Sequence, residues 1–144
     1  MRLRAVGMGI LHPMESAIFS ATIPGRTEAL RPLRHSLREW LAAAGIEAAT
    51  ADDVVLAAWE VCANALEHPV RPRHPPEVRV SVNVSKSYVR VSVQDTGEWR
   101  VHTVRRAQRG LGLRLARALM DRVSILRDRT GTEVVMWRYT STGA

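Results

Sequence analysis

The sequence is poor in cysteine and in long apolar runs, and each scarcity limits what the protein can be. Its single cysteine, Cys62, excludes an internal disulfide and a metal site built from several cysteines. No uninterrupted apolar run approaches the about 18 residues that a transmembrane helix needs. Residues 1–14 also lack the continuous apolar centre of a secretory signal. We therefore expect a cytoplasmic protein that makes no membrane contact.

Lysine is nearly absent as well. Lys86 is the only lysine among 21 basic residues, so arginine carries almost all of the positive charge behind a formal net charge of +7. An arginine-rich surface favours anionic partners. Nucleic acid, an acidic protein surface and a nucleoside triphosphate all meet that requirement. The charge therefore indicates the sign of the partner and not its class.

Length and periodicity predict one domain. The 144 residues, of which 46% are hydrophobic, suffice for one packed core. We expect residues 1–16 to be a flexible N-terminal extension and residues 17–140 to form the domain. Apolar patterns predict three helices, at Leu30–Ala44, Thr50–His68 and Leu113–Met120, and five strands, at Phe19–Ile23, Val78–Ser85, Val89–Gln94, Val123–Arg127 and Glu133–Tyr139. Thr50 is expected to cap the second helix. Strands grouped in hairpins imply a two-layer α/β sandwich of the α+β kind, with a mixed, mostly antiparallel sheet and helices on one face.

One stripe of the second predicted helix carries polar side chains. Glu60, Asn64 and His68 are spaced four residues apart, so they lie on the same side of that helix. The amide oxygen of Asn64 suits Mg²⁺, and Glu60 can orient or deprotonate a nearby hydroxyl. The alternative is a solvated polar face, with His68 interacting favourably with the helix dipole. The stripe alone does not decide between the two.

Asp95 follows the alternating row Val89, Val91 and Val93, so its side chain is expected to point toward the apolar face. A carboxylate there needs a donor, and the exocyclic amine of adenine would serve as one. Gly97, two residues later, would let a planar base approach the backbone closely. The alternative is a turn in which Asp95 hydrogen-bonds its own backbone.

Residues 109–113 read Arg-Gly-Leu-Gly-Leu and lead directly into the third predicted helix. Glycines there can expose N–H groups to phosphate oxygens, or simply give the helix a flexible start. The pattern is not a dinucleotide-binding fingerprint, which needs a third glycine after a parallel strand, and the Gly-Lys-Ser/Thr of a Walker A loop does not occur. Four arginines lie in or just before this segment and either clamp phosphates or keep the loop solvated: Arg100, Arg105, Arg106 and Arg109.

Three motifs therefore occur in a fixed order along the chain. They are Glu60-x-x-x-Asn64-Ala65-x-x-His68, Asp95-x-Gly97-x-Trp99-Arg100 and Arg109-Gly110-Leu111-Gly112-Leu113. In this order they resemble the N, G1 and G2 boxes of the GHKL ATPase superfamily, and most closely those of the anti-sigma factor serine/threonine kinase family. The resemblance extends from Phe19 to Tyr139 and includes Gly131-Thr132-x-Val134. Each motif is unspecific by itself, whereas their ordered combination is a strong signal.

The resemblance implies a GHKL (Bergerat-type) fold and makes residues 17–140 an ATP-binding, kinase-like domain that uses ATP and Mg²⁺. By similarity, Asn64 would coordinate Mg²⁺, Glu60 would be the general base and Asp95 would bind adenine. Residues 100–110 would be the lid over the phosphates, with Arg105 or Arg106 at the γ-phosphate. The other nucleotide-binding positions that it implies are Gly97, Arg109, Gly110, Leu111, Gly112, Leu113 and Thr132.

Members of that family phosphorylate a serine or threonine of an anti-anti-sigma (STAS-type) protein, sequester a sigma factor and usually form homodimers. We therefore expect an ATP-dependent serine/threonine protein kinase that acts as an anti-sigma factor in a partner-switching system of transcription regulation. Glu98-Trp99 in the G1 box, and the short segment before the first predicted strand, favour this branch over sensor histidine kinases. The alternative is a non-catalytic ATP-binding module that sequesters a sigma factor or another regulator. Direct nucleic-acid binding is not expected.

Overall fold

The computed structural model describes residues 2–6, 17–25, 27–67, 77–95, 111–128 and 131–140. Within these ranges the chain forms one sheet and one layer of helices. The strands are β1 (Arg2–Val6), β2 (Ala17–Pro24), β3 (Glu77–Val84), β4 (Tyr88–Asp95), β5 (Arg122–Asp128) and β6 (Gly131–Tyr139). The helices are α1 (Leu30–Ala43), which follows a 3-10 turn at Thr27–Ala29, then α2 (Ala48–Glu67) and α3 (Leu111–Leu119).

The six described strands form a single sheet in the order β1-β2-β3-β4-β6-β5. Every described strand pair is antiparallel. The hairpins β3–β4 and β5–β6 explain part of this order, because strands that are separated by only a few residues pair antiparallel. The predicted α+β sandwich is confirmed. The sheet was predicted to be mixed and mostly antiparallel, and no parallel pair occurs among the described strands.

Alternation along the strands decides which face of the sheet carries the core. In β3, Val78, Val80, Val82 and Val84 are buried, whereas Arg79 is exposed. Side chains two residues apart lie on the same face of a sheet. The valines therefore define an inner face, which the helices cover, and the residues between them define an outer face.

The helices cover the inner face with apolar stripes. The buried residues of α1 recur every three or four positions: Leu30, Leu33, Leu37 and Leu41. α1 ends just before Gly45, whose φ of 84° is left-handed and is accessible to glycine without strain. α2 lies between α1 and α3 and packs on β3, β4 and β6. Among the described residues, no helix is both long enough and apolar enough to cross a membrane.

Two helix starts differ from the predictions. α2 begins at Ala48, and the Ala51 amide donates to the Glu47 carbonyl. Thr50 therefore lies inside the first turn, and the prediction that it caps the helix was wrong, because the alanines before it have high helix propensity and extend the helix. α3 begins at Leu111 and thus includes part of the glycine segment that was expected to precede it.

β1 is an edge strand that the sequence did not predict. It pairs with β2, where Arg4 lies opposite Ser20. Its five residues fall within residues 1–16, which the sequence pattern predicts to be a flexible extension. A run this short alternates too briefly for periodicity to reveal a strand.

Candidate functional site

Asp95, the last residue of β4, lies on the inner face of the sheet. It continues the buried valine row of that strand, and only 6% of its surface is exposed. Its neighbours across the sheet are Val78 on β3 and Thr132 on β6. The predicted inward orientation of Asp95 is confirmed. Its carboxylate therefore lies at one end of the inner face, beside a fully buried valine.

Thr132 lies directly opposite Asp95 and is buried to the same extent. Its hydroxyl oxygen, Oγ1, is buried and has no hydrogen-bond partner within the described part of the chain. An unsatisfied buried hydroxyl costs about 1–3 kcal/mol, and native proteins leave few such groups without a partner. A carboxylate beside an unsatisfied hydroxyl, at the end of an apolar face, suits a flat ligand with polar edges.

Glu60 and Asn64 lie one turn apart on α2, and both side chains are half-buried. The residues of α2 that are buried in the core, as predicted, are Val54, Ala58, Val61 and Ala65. The stripe therefore borders the core and is not a fully solvated face. A carboxylate and a carboxamide held at such a border keep access to a ligand while the helix fixes their direction.

An ion pair fixes the start of α2 relative to the sheet. Arg138, near the end of β6, has its Nη2 3.2 Å from Oδ2 of Asp53. The distance along β6 from Arg138 back to Thr132 is about 20 Å. The distance along the axis of α2 from Asp53 to Asn64 is similar, about 16 Å. Because α2 also packs on β3 and β4, we infer that its C-terminal half approaches the Asp95 end of the inner face.

The residues that anchor α2 were not predicted from the sequence. Arg138 Nη1 also lies 3.8 Å from Oδ1 of Asp121, and the Tyr139 amide donates to Asp121 Oδ2 at 2.7 Å. Asp53 and Arg138 are 85 positions apart along the chain, so no local pattern shows that they meet. Strand parity was the available signal, since Arg138 falls on an inward-facing row where an arginine needs a partner.

The glycine segment is described only in part. Leu111 and Gly112 form the first turn of α3, so this part of the predicted phosphate-binding motif does lie at a helix start. The side chain of Leu113 is buried in the core, which leaves only its backbone available to a ligand. Other predicted residues lie outside the described ranges: His68, Gly97, Arg100, Arg105, Arg106, Arg109 and Gly110.

Cys62 is fully buried on α2. Burial raises the pKa of its thiol far above the ordinary value, because a thiolate would be poorly solvated in the core. Cys62 therefore contributes to packing and is not a nucleophile at neutral pH.

A metal site built by the protein alone is not found among the described residues. No group of three or more histidine, cysteine, aspartate or glutamate side chains there is placed to hold a metal ion. Magnesium bound together with a nucleotide has a different requirement, since phosphate and water oxygens supply most of its ligands. A single side-chain oxygen, as predicted for Asn64, suits that mode of binding.

Comparison with known proteins extends this picture. Residues 23–138 match the family model described as the histidine kinase-like ATPase domain. The structure of the RsbU and RsbW domains of Rv1364c from Mycobacterium tuberculosis is similar, with a TM-score of 0.68 and 29% sequence identity over 85% of this chain. This chain spans 32% of that one. The histidine kinase domain of the blue-light-activated histidine kinase from Erythrobacter litoralis has a TM-score of 0.56 and 21% identity, covering 91% of this chain and 65% of that one. At 21% identity the likeness concerns the fold alone.

Proposed function

This chain belongs to the family of histidine kinase-like ATPase domains, and we propose that it binds Mg·ATP and transfers the γ-phosphate to a serine or threonine of an anti-anti-sigma protein. In this proposal the chain is an anti-sigma factor of a partner-switching system. The observation that carries the proposal is the pair of buried polar side chains, Asp95 and Thr132, at one end of the inner face.

The chemistry of that pair fits adenine. An ionised carboxylate has several acceptor positions, so Asp95 can accept the exocyclic amine of adenine in addition to the contact that it makes within the chain. The Thr132 hydroxyl can donate to a ring nitrogen, which would satisfy the oxygen that lacks a described partner. Val78, fully buried beside Asp95, makes the interior behind the carboxylate apolar. Adenine therefore meets the donor, acceptor and apolar requirements of this end of the sheet.

The stripe on α2 supplies the chemistry expected of the phosphate end. Asn64 would offer its side-chain oxygen to Mg²⁺, and Glu60 would take the proton of the attacking hydroxyl as general base. When bound, Mg²⁺ neutralises negative charge on the phosphate oxygens. The start of α3 at Leu111 and Gly112 supports a role for its N–H groups near those oxygens.

The partners follow from the resemblance and from the comparisons. The ordered motifs resemble those of anti-sigma factor kinases, and 29% identity links the chain to a structure described as RsbU and RsbW domains. We propose that a STAS-type anti-anti-sigma protein is the phosphate acceptor and that a sigma factor is the alternative partner of a homodimer.

Phosphate transfer is the step to test. The wild-type chain and the Glu60→Ala variant are each incubated with ATP labelled in the γ-phosphate and with candidate STAS-type acceptors. Loss of the general base should lower the rate of label transfer by about 10²- to 10⁴-fold, while ATP affinity from calorimetry changes little. Glu47→Ala is the matched control, because Glu47 is exposed just before α2 and should leave the rate unchanged.

Two results would contradict the kinase proposal. One is ATP binding without label transfer to any acceptor, combined with retention of a sigma factor, which is the behaviour of a non-catalytic module. The other is equal transfer by the wild type and by Glu60→Ala, which would remove Glu60 from the reaction.

A further inference from the structure

The outer face of the sheet carries exposed apolar side chains. Among the described residues, the large hydrophobic side chains that are exposed are Ile18 on β2, Leu126 on β5 and Tyr139 on β6, with 41%, 55% and 57% of their surface accessible. Strand alternation places all three on the outer face. Ile18 lies in the same row across the sheet as Arg90 and Trp137, and Tyr139 follows Trp137 by two residues on β6, so apolar side chains border this part of the outer face.

Two arginines on this face are held against one tryptophan. Arg90 of β4 and Arg122 of β5 lie opposite Trp137 of β6 from its two sides. Their guanidinium carbons lie 5.7 Å and 4.9 Å from the centre of a ring of Trp137, within the range of cation–π attraction. The indole therefore restricts both side chains before any partner arrives, which lowers the entropy lost on binding.

These two arginines differ from other described arginines in their ion pairing. Within the described part of the chain neither of them pairs with a carboxylate, whereas Arg38 pairs with Asp52, and Arg79 lies near Glu77. Arg138 on the inner face likewise has carboxylate partners. An ordered guanidinium group without a counter-charge is a ready donor for a carboxylate or a phosphate.

We propose that the outer face around Arg90, Trp137 and Arg122 docks an acidic segment of a partner protein. Carboxylates of that segment would bind the two guanidinium groups, and its apolar side chains would cover Ile18 and Leu126. Arginine and tryptophan are the residue types that dominate the binding energy of protein interfaces.

Two features favour a protein segment over other anionic or apolar partners. The exposed aliphatic side chains of Ile18 and Leu126 offer nothing to phosphates. Glu133 lies on the same face, where it accepts a hydrogen bond from Ser92 Oγ at 2.7 Å, and it repels carboxylates and phosphates alike, so the acidic residues of the segment would bind at Arg90 and Arg122. A second copy of the chain would bring Arg90 and Arg122 toward the same arginines if it docked face to face, and like charges oppose that contact.

The docking surface is independent of the proposed kinase site. Asp95 and Thr132 point to the inner face, whereas Arg90, Trp137 and Arg122 point to the outer one. Changes on the outer face therefore leave the proposed nucleotide site intact, and Glu60→Ala should leave docking unchanged. Failure of one proposal can thus be distinguished from failure of the other.

The test is selection from a display library of random short peptides on the full-length wild-type chain, with counter-selection on the Arg90→Gln/Arg122→Gln double variant. The retained peptides should combine net negative charge with aliphatic residues. Their affinity, measured by calorimetry, should be at least about tenfold weaker for the double variant. A melting curve checks that the double variant is folded.

Two further variants separate charge from apolar contact. Arg31→Gln/Arg117→Gln removes the same charge from exposed positions on α1 and α3 and should keep the affinity within about twofold, because salt screens distant charges. Ile18→Ser/Leu126→Ser keeps the charge and should weaken binding.

Four results would overturn the proposal. The first is that no peptide distinguishes the wild type from the double variant, and the second is that the retained peptides carry no excess of acidic residues. The third and fourth identify another partner. A single-stranded oligonucleotide binds the face and displaces the peptides, which would make nucleic acid the partner. Sedimentation shows a wild-type dimer that the double variant dissociates, which would make a second copy the occupant.

Discussion

The two ends of the sheet's inner face differ in whether their polar side chains have partners within the described part of the chain. At one end, Arg138 has carboxylate oxygens of Asp53 and Asp121 within 3.2 Å and 3.8 Å, so its charge is compensated even though its Nε has no described partner. At the other end, the buried hydroxyl of Thr132 is not satisfied by any described residue. The first arrangement fastens α2 to the sheet, and the second leaves hydrogen-bonding capacity for a ligand. A polar residue on an inward-facing row can therefore serve the fold or the function, and its partners decide which.

The largest effect on ligand binding is expected at Asp95. Asp95→Asn keeps the shape but replaces the carboxylate that we propose accepts the adenine amine. A hydrogen bond to a charged group contributes about 1.5–3 kcal/mol, so ATP affinity from calorimetry should fall by about 10- to 100-fold. Asp52→Asn, an exposed carboxylate on α2, is the control and should bind ATP like the wild type. Unchanged affinity in Asp95→Asn would show that the adenine assignment is wrong.

The opposite end should respond in stability and not in binding. Arg138→Met leaves Asp53 and Asp121 without their cation, and urea unfolding should show a loss of about 1–2 kcal/mol. The estimate takes the low part of the range for a broken ion pair, because these side chains are about one third exposed and solvent screens them. ATP affinity of the folded variant should stay near the wild-type value. A large loss of ATP affinity with unchanged stability would contradict the assignment of Arg138 to the fold and not to ligand binding.

Thr132→Val sharpens the comparison, because its two effects should have opposite signs. Removing a buried hydroxyl that lacks a partner should leave the free energy of unfolding of the ligand-free chain unchanged, or raise it by up to about 1 kcal/mol. Removing the proposed donor to adenine should weaken ATP binding by about 3- to 10-fold. Thermal melting with and without Mg·ATP measures both. Destabilisation of the ligand-free variant would mean that the hydroxyl serves the fold.

The smallest effect concerns Cys62, a buried polar group that belongs to neither end. Burial raises the pKa of its thiol, so the folded chain keeps the proton that the unfolded chain loses above about pH 8.5. This contribution to stability is present below that pH and is lost as the pH rises. Relative to Cys62→Ala, the wild type should lose about 0.8 kcal/mol of unfolding free energy between pH 7 and pH 9. Parallel pH profiles for the two proteins would contradict the raised pKa.

Local sequence patterns predicted the features that depend on one strand or one helix. The inward direction of Asp95 followed from the parity of its strand, and the buried side of α2 followed from helical spacing. The end of α1 at Gly45 followed from the preference of glycine for left-handed backbone. Each of these depends on residues only a few positions apart.

Features that depend on strand pairing were not predicted. The contact between Arg138 and Asp53, and the position of Trp137 between Arg90 and Arg122, arise only when distant strands and helices meet in one register. Periodicity reports the direction of a side chain and says nothing about which strand lies beside it. The proposed role of Thr132 came from the family resemblance, and its hydroxyl, which has no described partner, became visible only in the folded chain.

The most direct test of adenine recognition at the Asp95 end is a calorimetric titration of the wild-type chain with ATP and with GTP in excess Mg²⁺. Adenine presents an amine at the ring position where guanine presents a carbonyl oxygen. That oxygen would face the Asp95 carboxylate with no proton between them, so GTP should bind at least about 100-fold more weakly than ATP. Equal affinities for ATP and GTP would contradict recognition of adenine by Asp95.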